Sequence, residues 1–244
     1  MGREGARTEV LGEDFAERRA RAREKLDAVD PHKLPGGVEV DPKRRDWFEA
    51  VYALAEDDPA AVPWAHLEPR PLLEDWLAAH SIVGLRALDV GCGLGDNAEA
   101  LARAGARVVG FDLVERAVHW ARERFPESEV DYRVADIFNP PKDWRGAFDF
   151  VHELYTLQAL PQSLLPDAAR ALASFVAPGG MLLVISRARD DHEEVDGPPW
   201  PLSRKDIEAL AVDGLRLALL EDIPASGDLA RHWRAEFRRD EAGA

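Results

Sequence analysis

From residue 86 onward, short apolar runs alternate with segments in which apolar residues recur at the spacing of a helix. Runs of this length indicate buried strands, and the segments between them indicate amphipathic helices. The predicted strands are RALDVG, ARVVGFD, VDYRVAD, FDFVHEL and MLLVISRA, and the predicted helices are GDNAEALARAG, ERAVHWARERF and a helix from about Pro161 to Phe175. Strands that alternate with helices form right-handed crossovers, so the pattern predicts an α/β fold with a doubly wound, mostly parallel sheet.

The last part of the chain departs from this alternation. LRLALLEDI and HWRAEFRR both have the character of strands, and only a short connection separates them. Neighbouring parallel strands need a long crossover, whereas a short loop can join an antiparallel pair. The sequence therefore predicts an antiparallel pair at one edge of the sheet.

The first 70 residues have a different pattern, which predicts a helical extension over residues 1–70 in front of a domain over residues 71–244. Residues 13–29 predict a charged helix, whose thin apolar stripe consists of Phe15, Ala22, Leu26 and Val29. A second helical segment runs through WFEAVYALAE, and a third, PLLEDWLAAH, follows a proline-rich connection. Two interpretations of the first helix stay open: a solvated helix packed on the domain, and a lid over an active site.

The composition is that of a globular protein. Of the 244 residues, 46% are hydrophobic and 32% are charged, which suits one sizeable α/β domain with an extension. No apolar run approaches the roughly 18 residues of a membrane-spanning helix, and residues 1–30 lack the apolar core of a signal peptide. The single cysteine, Cys92, cannot form an internal disulfide, and a lone thiol fits a reducing compartment. We therefore expect a cytoplasmic protein with no membrane partner.

The charge of the chain argues against nucleic acid as a partner. The formal net charge is −15, and residues 1–45 hold 11 Lys/Arg and 10 Asp/Glu, so the excess of acid lies in the remainder. Proteins that bind DNA or RNA normally present a basic surface that displaces counterions from the phosphates. The composition therefore favours a small molecule as the partner.

The segment LDVGCGLGDN carries the clearest chemical signal, because three glycines at alternate positions separate a predicted strand from a predicted helix. Glycine permits positive φ and lets backbone amides approach a ligand, and ligands of parallel sheets bind beyond the carboxyl ends of the strands. A dinucleotide fingerprint needs glycine at its first, third and sixth positions, but the sixth position counted from Gly91 is Asp96. Asp89 and Asp96 suit instead a cationic ligand, such as a sulfonium that also carries an ammonium group. The predicted cofactor-binding residues of this turn are Asp89, Gly91, Cys92, Gly93 and Gly95, with Cys92 as a small space-filling side chain.

Two further acids follow the second and third predicted strands. Asp112 lies 23 residues beyond Asp89, where a carboxylate can accept hydrogen bonds from both ribose hydroxyls of a nucleoside. Asp136 could accept from an adenine amino group, with Leu113 and Ile137 on the two faces of the base. The alternatives are a helix N-cap for Asp112 and a loop contact for Asp136.

With these residues in place, the sequence resembles the class I S-adenosylmethionine-dependent methyltransferases over roughly residues 72–238. The resemblance rests on LDVGCGLG, GFD, VAD, FDFVHELYTLQAL and APGGMLLVIS. It implies a sheet of seven strands in the order 3-2-1-4-5-7-6, with strand 7 antiparallel, and S-adenosyl-L-methionine as the cofactor. The chain more narrowly resembles the thiopurine and tellurite-resistance methyltransferases through Trp47, Tyr52, Pro63-Trp64, Pro71-Leu72-Leu73 and Gly197-Pro198-Pro199-Trp200.

The reacting groups are expected after the fourth predicted strand. In methyl transfer a lone pair attacks the methyl carbon opposite the departing sulfur, and a general base is needed only where the nucleophile arrives protonated. His152 could take a proton near neutral pH, and Glu153 could do so instead or could orient His152 or a substrate amine. Simple packing at the strand end is the alternative for His152, and we interpret Tyr155 as structural. Trp64 could hold a sulfonium or a flat substrate against its indole face, or could anchor the N-terminal segment.

We therefore expect S-adenosylmethionine-dependent methyl transfer to an oxygen, nitrogen or sulfur atom of a small molecule, with His152 and Glu153 as the catalytic candidates. Two alternatives stay open: a noncatalytic S-adenosylmethionine-binding module that regulates a partner, and a nicotinamide-dependent oxidoreductase of the same fold. The residues after the fifth predicted strand could grip a carboxylate or form a solvated loop, and their spacing does not indicate a metal site; they are Arg187, Arg189, Asp190, Asp191 and His192. The oligomeric state is not predicted.

Overall fold

The computed structural model describes residues 4–33, 37–56, 58–195 and 197–241. The chain divides into two units, residues 1–67 and residues 68–244. Leu26, Trp47 and Val51 form the hydrophobic cluster of the first unit, and two larger clusters lie in the second. Each unit therefore has an apolar interior of its own.

The first unit is built from three helices, α1 (Glu4–Asp27), α2 (Gly37–Val40) and α3 (Arg45–Leu54). The chain turns directly after α1, so Val29 lies beyond the helix and is 57% exposed, and the prediction that it belongs to the apolar stripe is wrong. The start of α3 is fixed by the buried carboxylate of Asp41, which accepts a hydrogen bond from the Trp47 amide at 3.0 Å. Two aromatic side chains, Phe48 and Trp64, pack against the cluster.

The second unit is built on a single sheet. Its strands are β1 (Arg86–Val90), β2 (Arg107–Asp112), β3 (Asp131–Val134), β4 (Phe148–Leu154), β5 (Val176–Arg187), β6 (Leu215–Ile223) and β7 (His232–Arg239). Their order is β3-β2-β1-β4-β5-β7-β6, in which β7 is antiparallel to both of its neighbours and every other pair is parallel. The fold class, the strand order and the antiparallel edge pair are confirmed.

Five helices accompany these strands: α4 (Pro71–Ala79), α5 (Asp96–Arg103), α6 (Glu115–Arg124), α7 (Leu165–Phe175) and α8 (Arg204–Glu208). The start of α7 differs from the prediction, because Pro161 is extended and a short 3₁₀ turn follows it. Pro166 then occupies the first turn of α7, where the missing amide hydrogen breaks no helical bond.

Alternate residues of the central strands belong to different apolar clusters. Ala87 and Phe150 belong to one cluster, whereas Leu88 and Val151 belong to the other. Because successive strand residues point to opposite faces, the sheet separates two cores. The carboxyl ends of β1, β2, β3 and β4 meet at one edge of this two-sided scaffold, and the predicted site residues follow those ends.

Candidate functional site

The turn between β1 and α5 depends on glycine for its backbone shape. Gly91, Gly93 and Gly95 all have positive φ, at 65°, 53° and 91°. A Cβ on Gly95 would come within 2.5 Å of the Tyr132 hydroxyl oxygen, and one on Gly91 would collide with the Thr156 hydroxyl. A side chain at either of these two positions would therefore meet both conformational strain and a steric clash.

The amides of this turn have partners within the protein. The Cys92 amide donates to the Phe111 carbonyl at 2.8 Å, and the Gly95 amide donates to the Cys92 carbonyl at 2.9 Å. The Gly93 amide donates to a carboxylate oxygen of Asp112 at 3.0 Å. The bonds from Cys92 and Gly93 fasten the turn to β2, and the bond from Gly95 closes the turn on itself. The expectation that the turn offers its amides to a ligand is therefore not met by these three groups. Burial also raises the pKa of the Cys92 thiol well above its usual range, and the carboxylates of Asp112 and Asp89 add to the rise.

Asp112 ends β2 with a half-buried carboxylate that retains accepting capacity. One oxygen accepts from the Gly93 amide and the other accepts from the Val114 amide, each at 3.0 Å. A carboxylate has about four lone-pair sites, so these two bonds leave Asp112 with capacity for a further donor. No side chain caps α6, whose N-cap is Val114, so the N-cap interpretation of Asp112 is wrong. Burial raises the pKa of Asp112 to about 6, although hydrogen bonds from backbone amides oppose the rise.

Asp89 and His152 form a buried pair at the ends of β1 and β4. They lie directly opposite each other in the parallel register, and His152 Nδ1 is 2.6 Å from Asp89 Oδ1. Asp89 is 2% exposed and His152 is fully buried. In the part of the chain that the structure describes, the second oxygen of Asp89 and Nε2 of His152 have no hydrogen-bond partner. Buried polar atoms are normally paired, so this edge of the sheet fits a ligand that brings a positively charged donor group.

Asp96 does not share this role, because its carboxylate is already paired. Arg124, in the last turn of α6, donates to both of its oxygens at 2.9 and 2.7 Å, and also to the Leu94 carbonyl at 2.6 Å. This two-pronged ion pair neutralises the acid. The expectation that Asp96 acts with Asp89 on a cationic ligand is therefore wrong.

Asp136, after β3, takes part in a tight turn. One of its carboxylate oxygens accepts from the Phe138 amide at 2.8 Å, and its carbonyl accepts from the Asn139 amide at 2.9 Å. Ile137 is 8% exposed, and Leu113 is partly exposed. The loop contact considered for Asp136 is thus present, and its contact with adenine, like that of Leu113 and Ile137, stays a prediction.

Glu153 lies on the opposite face of β4 from His152 and is fully buried. One of its oxygens accepts from the Thr156 amide at 2.6 Å and from the Leu157 amide at 3.0 Å. Its other oxygen has no partner among the described residues, and burial raises the pKa of Glu153 to about 7 against the effect of those two amides. Because adjacent strand residues point to opposite faces, the expectation that Glu153 orients His152 is wrong. Glu153 instead holds the turn that follows β4.

A third group of side chains meets at the same edge. The Tyr155 hydroxyl lies 2.6 Å from His232 Nε2, and the two rings stack with centroids 5.7 Å apart. The guanidinium of Arg70 lies 5.0 Å from the centroid of the Tyr155 ring. Sequence reasoning missed Arg70 and His232. The available signal was the antiparallel direction of β7, because its first residue, His232, then pairs with the last residue of β5 at the carboxyl edge.

The remaining candidates have contacts of other kinds. Trp64 belongs to the first unit, where its indole nitrogen donates to the Tyr52 hydroxyl at 3.0 Å and its ring meets Phe48 edge-on. Its predicted role with the cofactor stays a prediction. After β5, Arg189 pairs with Asp206 at 2.9 Å and is largely buried, whereas Asp190 pairs with Arg231 at 2.7 Å and is exposed, so the solvated-loop interpretation does not hold for Arg189.

None of the described helices is both long enough and apolar enough to cross a membrane. Among the same residues, no group of three or more His, Cys, Asp or Glu side chains could hold a metal ion.

Comparison with known proteins identifies the region that carries this site. Residues 87–180 match the family model described as "Methyltransferase domain". The chain is 35% identical over 147 residues to the ubiquinone biosynthesis O-methyltransferase of Bordetella avium (strain 197N), an alignment over 59% of this chain and 60% of that protein. The chain thus spans less than two thirds of the length of this curated relative.

Solved structures share the fold at lower identity. The N-methyltransferase NodS from Bradyrhizobium japonicum WM9, in complex with S-adenosyl-L-homocysteine, has a TM-score of 0.62 and 22% identity, over 82% of this chain and all of that chain. The [4+2]-cyclase SpnF has a TM-score of 0.60 and 21% identity, over 70% of this chain and 81% of that chain. The chain thus shares the seven-stranded fold of these structures, and its residues 87–180 match the methyltransferase-domain model.

Proposed function

We propose that this chain binds S-adenosyl-L-methionine at the carboxyl edge of β1, β2 and β4 and transfers its methyl group to an oxygen atom of a small molecule. The observation that carries the proposal is the pair of acids beside the glycine turn. Asp112 keeps accepting capacity at the end of β2, and Asp89 keeps a buried oxygen that no described residue satisfies. Both acids lie within the segment that matches the methyltransferase domain.

The charge and hydrogen-bonding capacity of these acids suit the two polar ends of that compound. The remaining accepting capacity of the Asp112 carboxylate suits the hydroxyls of a ribose. The unsatisfied oxygen of Asp89 can accept from an ammonium group, and the buried position strengthens that attraction because little water competes. S-adenosylmethionine supplies an activated methyl group when it is bound.

We assign His152 and Glu153 to positioning rather than to proton transfer. His152 reaches the site through Asp89, because its Nδ1 atom holds one carboxylate oxygen and leaves the other for the ligand. Glu153 holds the Tyr155–Thr156 turn through two amides. Placement of reacting atoms within a near-attack geometry contributes on the order of 7–11 kcal/mol, so rigid positioning residues affect the rate without touching the substrate.

The choice of oxygen among oxygen, nitrogen and sulfur rests on the curated relatives. A second one, from Xanthomonas campestris pv. campestris (strain B100), is also described as a ubiquinone biosynthesis O-methyltransferase and is 40% identical over 117 residues. The narrower resemblance to the thiopurine and tellurite-resistance methyltransferases stays a prediction, carried by the aromatic and proline residues quoted above. The cytoplasm is the proposed location.

A shared fold does not by itself fix the reaction, as the cyclase with this fold illustrates. The test therefore separates binding from transfer. Calorimetry with S-adenosylmethionine, S-adenosylhomocysteine and NADH should show heat with the first two compounds only. Methyl-labelled S-adenosylmethionine should then label the hydroxyl of a phenol or a catechol in a panel of acceptors that also contains an aniline and a thiol. Binding without transfer to any acceptor would favour the noncatalytic regulatory module, and absence of binding would contradict the proposal.

A further inference from the structure

The contact between Tyr155 and His232 has a defined direction. His232 Nδ1 lies 2.5 Å from the Ala230 carbonyl oxygen, which can only accept a hydrogen bond. Nδ1 therefore carries the proton in the neutral ring, and Nε2 is left with its lone pair. The Tyr155 hydroxyl, 2.6 Å away, consequently donates to Nε2. The pair is a phenol aligned with the basic nitrogen of a neutral imidazole.

The pair lies beside the proposed cofactor site. Tyr155 immediately precedes Thr156, whose hydroxyl donates to the Val90 carbonyl at 3.1 Å at the end of β1. The same hydroxyl occupies the space that a Cβ on Gly91 would need. The turn after β4 therefore contacts the glycine turn directly. Tyr155 is partly exposed, whereas His232 is 2% exposed, so Tyr155 is the member of the pair nearer to solvent.

The backbone of Tyr155 supports a functional interpretation. Its φ is 71°, in the left-handed region that residues other than glycine rarely adopt. Such residues persist where the surrounding structure holds them, and they concentrate at active sites. Here the Tyr155 amide donates to the Ile185 carbonyl at 3.2 Å, and Glu153 holds the two following amides. The strained conformation places the phenol ring against His232 rather than along the strand.

We propose that Tyr155 and His232 form the proton acceptor for a hydroxyl-bearing methyl acceptor, which deepens the proposed function and rests on it. Tyr155 contacts the hydroxyl of the acceptor, and His232 is the final base. The acceptor oxygen forms a bond to the methyl carbon while the bond from that carbon to sulfur breaks, and the electron pair of the broken bond goes to sulfur. The hydroxyl proton passes to the Tyr155 oxygen, and the Tyr155 proton passes to His232 Nε2. The positive charge of the sulfonium is thereby replaced by that of an imidazolium.

The charges around the pair favour return of this proton to water after each turnover. Burial lowers the pKa of His232, the Ala230 carbonyl opposes this, and the nearby cations Arg187 and Arg70 lower it further. Burial raises the pKa of the Tyr155 phenol, while the same two arginines oppose the rise. From β6, the residue paired with His232 is Ile223, which carries no charge. His232 is therefore neutral at neutral pH and ready to accept a proton.

The experiment compares the variants Tyr155→Phe and His232→Gln with wild type, using catechol as the acceptor and methyl-labelled S-adenosylmethionine. Phenylalanine keeps the ring and the backbone, and glutamine can accept a hydrogen bond but cannot act as a base. The matched control is His119→Gln, an exposed histidine on α6 that pairs with Glu123. Thermal melts and calorimetry with S-adenosylmethionine establish that each variant is folded and binds with wild-type affinity.

Both variants should lose about 10²–10⁴-fold in kcat on catechol, which is the usual contribution of a general base. The wild-type kcat should fall below neutral pH as His232 takes a proton. The kcat of His232→Gln should lack this fall and should instead rise steadily with hydroxide concentration. Thiophenol, which ionises without help at pH 8, should react at similar rates with all of these proteins.

The outcomes separate this proposal from the proposed function. Losses below threefold, or an unchanged pH profile in His232→Gln, would each overturn the relay and leave the proposed methyl transfer to oxygen intact. Absence of S-adenosylmethionine binding by wild type would instead overturn the proposed function, and the relay with it.

Discussion

At the scale of single residues, Asp112 links the ionisation of one buried carboxylate to the binding of a ligand. Its pKa is raised to about 6 by burial, because hydrogen bonds from the Val114, Gly93 and Leu113 amides only partly offset the loss of water. Hydroxyl donors bind better to the ionised carboxylate than to the neutral acid. The affinity for a nucleoside should therefore depend on pH in a range where few carboxylates titrate.

We predict that the affinity for S-adenosylmethionine is constant above about pH 7 and falls up to tenfold per pH unit well below pH 6 as Asp112 takes a proton. Asp112→Asn should bind at least tenfold more weakly at pH 7.5, which corresponds to about 1.4 kcal/mol, and should lose the pH dependence. Calorimetry between pH 5 and pH 8 measures both effects. The matched control is Asp131→Asn, since Asp131 is an exposed partner of Arg133 on β3. An unchanged slope in Asp112→Asn would remove the ribose assignment.

Glu153 should affect the stability of the fold in the same range of pH. Its folded-state pKa is raised from 4.5 to about 7, so the unfolded chain releases this proton first as the pH rises. Stability therefore falls between about pH 4.5 and pH 7, by up to about 3 kcal/mol. Glu153→Gln keeps an acceptor for the Thr156 and Leu157 amides and cannot ionise, so it should be more stable than wild type at pH 8.

Urea unfolding at pH 6 and pH 8 tests this prediction, because Asp112, with a pKa of about 6, contributes mainly below that interval. The difference in unfolding free energy between wild type and Glu153→Gln should grow from pH 6 to pH 8. A difference that is independent of pH would show that Glu153 is already ionised in the folded protein.

At the scale of elements, the pattern of the sequence predicted the sheet because the central strands β1, β4 and β5 are largely buried on both faces and the crossover helices between strands are amphipathic. β4 was predicted with the bounds that it has, and the antiparallel pair of β6 and β7 followed from the short connection between them. Parallel strands also place their ends at one edge, so Asp89, Asp112 and His152 could be predicted to gather there.

The partners of those side chains could not be predicted in the same way. The pairing of Asp96 with Arg124 depends on how α6 packs beside the turn, and nothing in the spacing of 28 residues shows it. The contact of Tyr155 with His232 spans 77 residues and depends on the register of β7 against β5. The pattern of apolar and polar residues predicts the sheet edge at which a residue lies. Contacts between side chains depend also on strand register and on rotamers, which this pattern does not encode.

The glycine turn illustrates how an element limits its own sequence. Gly95→Ala should destabilise the fold by about 2 kcal/mol, because φ is 91° and the new methyl group would meet the Tyr132 hydroxyl. Gly146→Ala is the matched control, since φ there is 60° and the space is open, and it should cost about 1 kcal/mol from conformation alone. Urea unfolding measures both changes. Equal losses would show that Tyr132 moves aside at no cost.

At the scale of the whole molecule, the two units differ in the size of their apolar cores. The second unit has two apolar layers separated by a seven-stranded sheet, and each layer is larger than the cluster of Leu26, Trp47 and Val51 among the described residues of the first unit. The proposed site residues of the second unit lie at the ends of strands, and the two apolar layers pack against the two faces of those strands. A domain of this size buries enough apolar surface to fold alone.

We predict that a fragment of residues 68–244 unfolds in a single cooperative transition and retains binding of S-adenosylmethionine, because both of its apolar layers are complete within those residues. Circular dichroism melts and calorimetry on the fragment and the full chain provide the measurement.

The fragment lacks Trp64. An affinity that is weakened by tenfold or more in the fragment, and equally in Trp64→Leu of the full chain, would support the predicted role of that indole with the cofactor. Retained binding with lost transfer would support the lid interpretation of residues 1–70. A fragment without a cooperative transition would show that the larger unit depends on the smaller one for its stability, which its own two cores give no reason to expect.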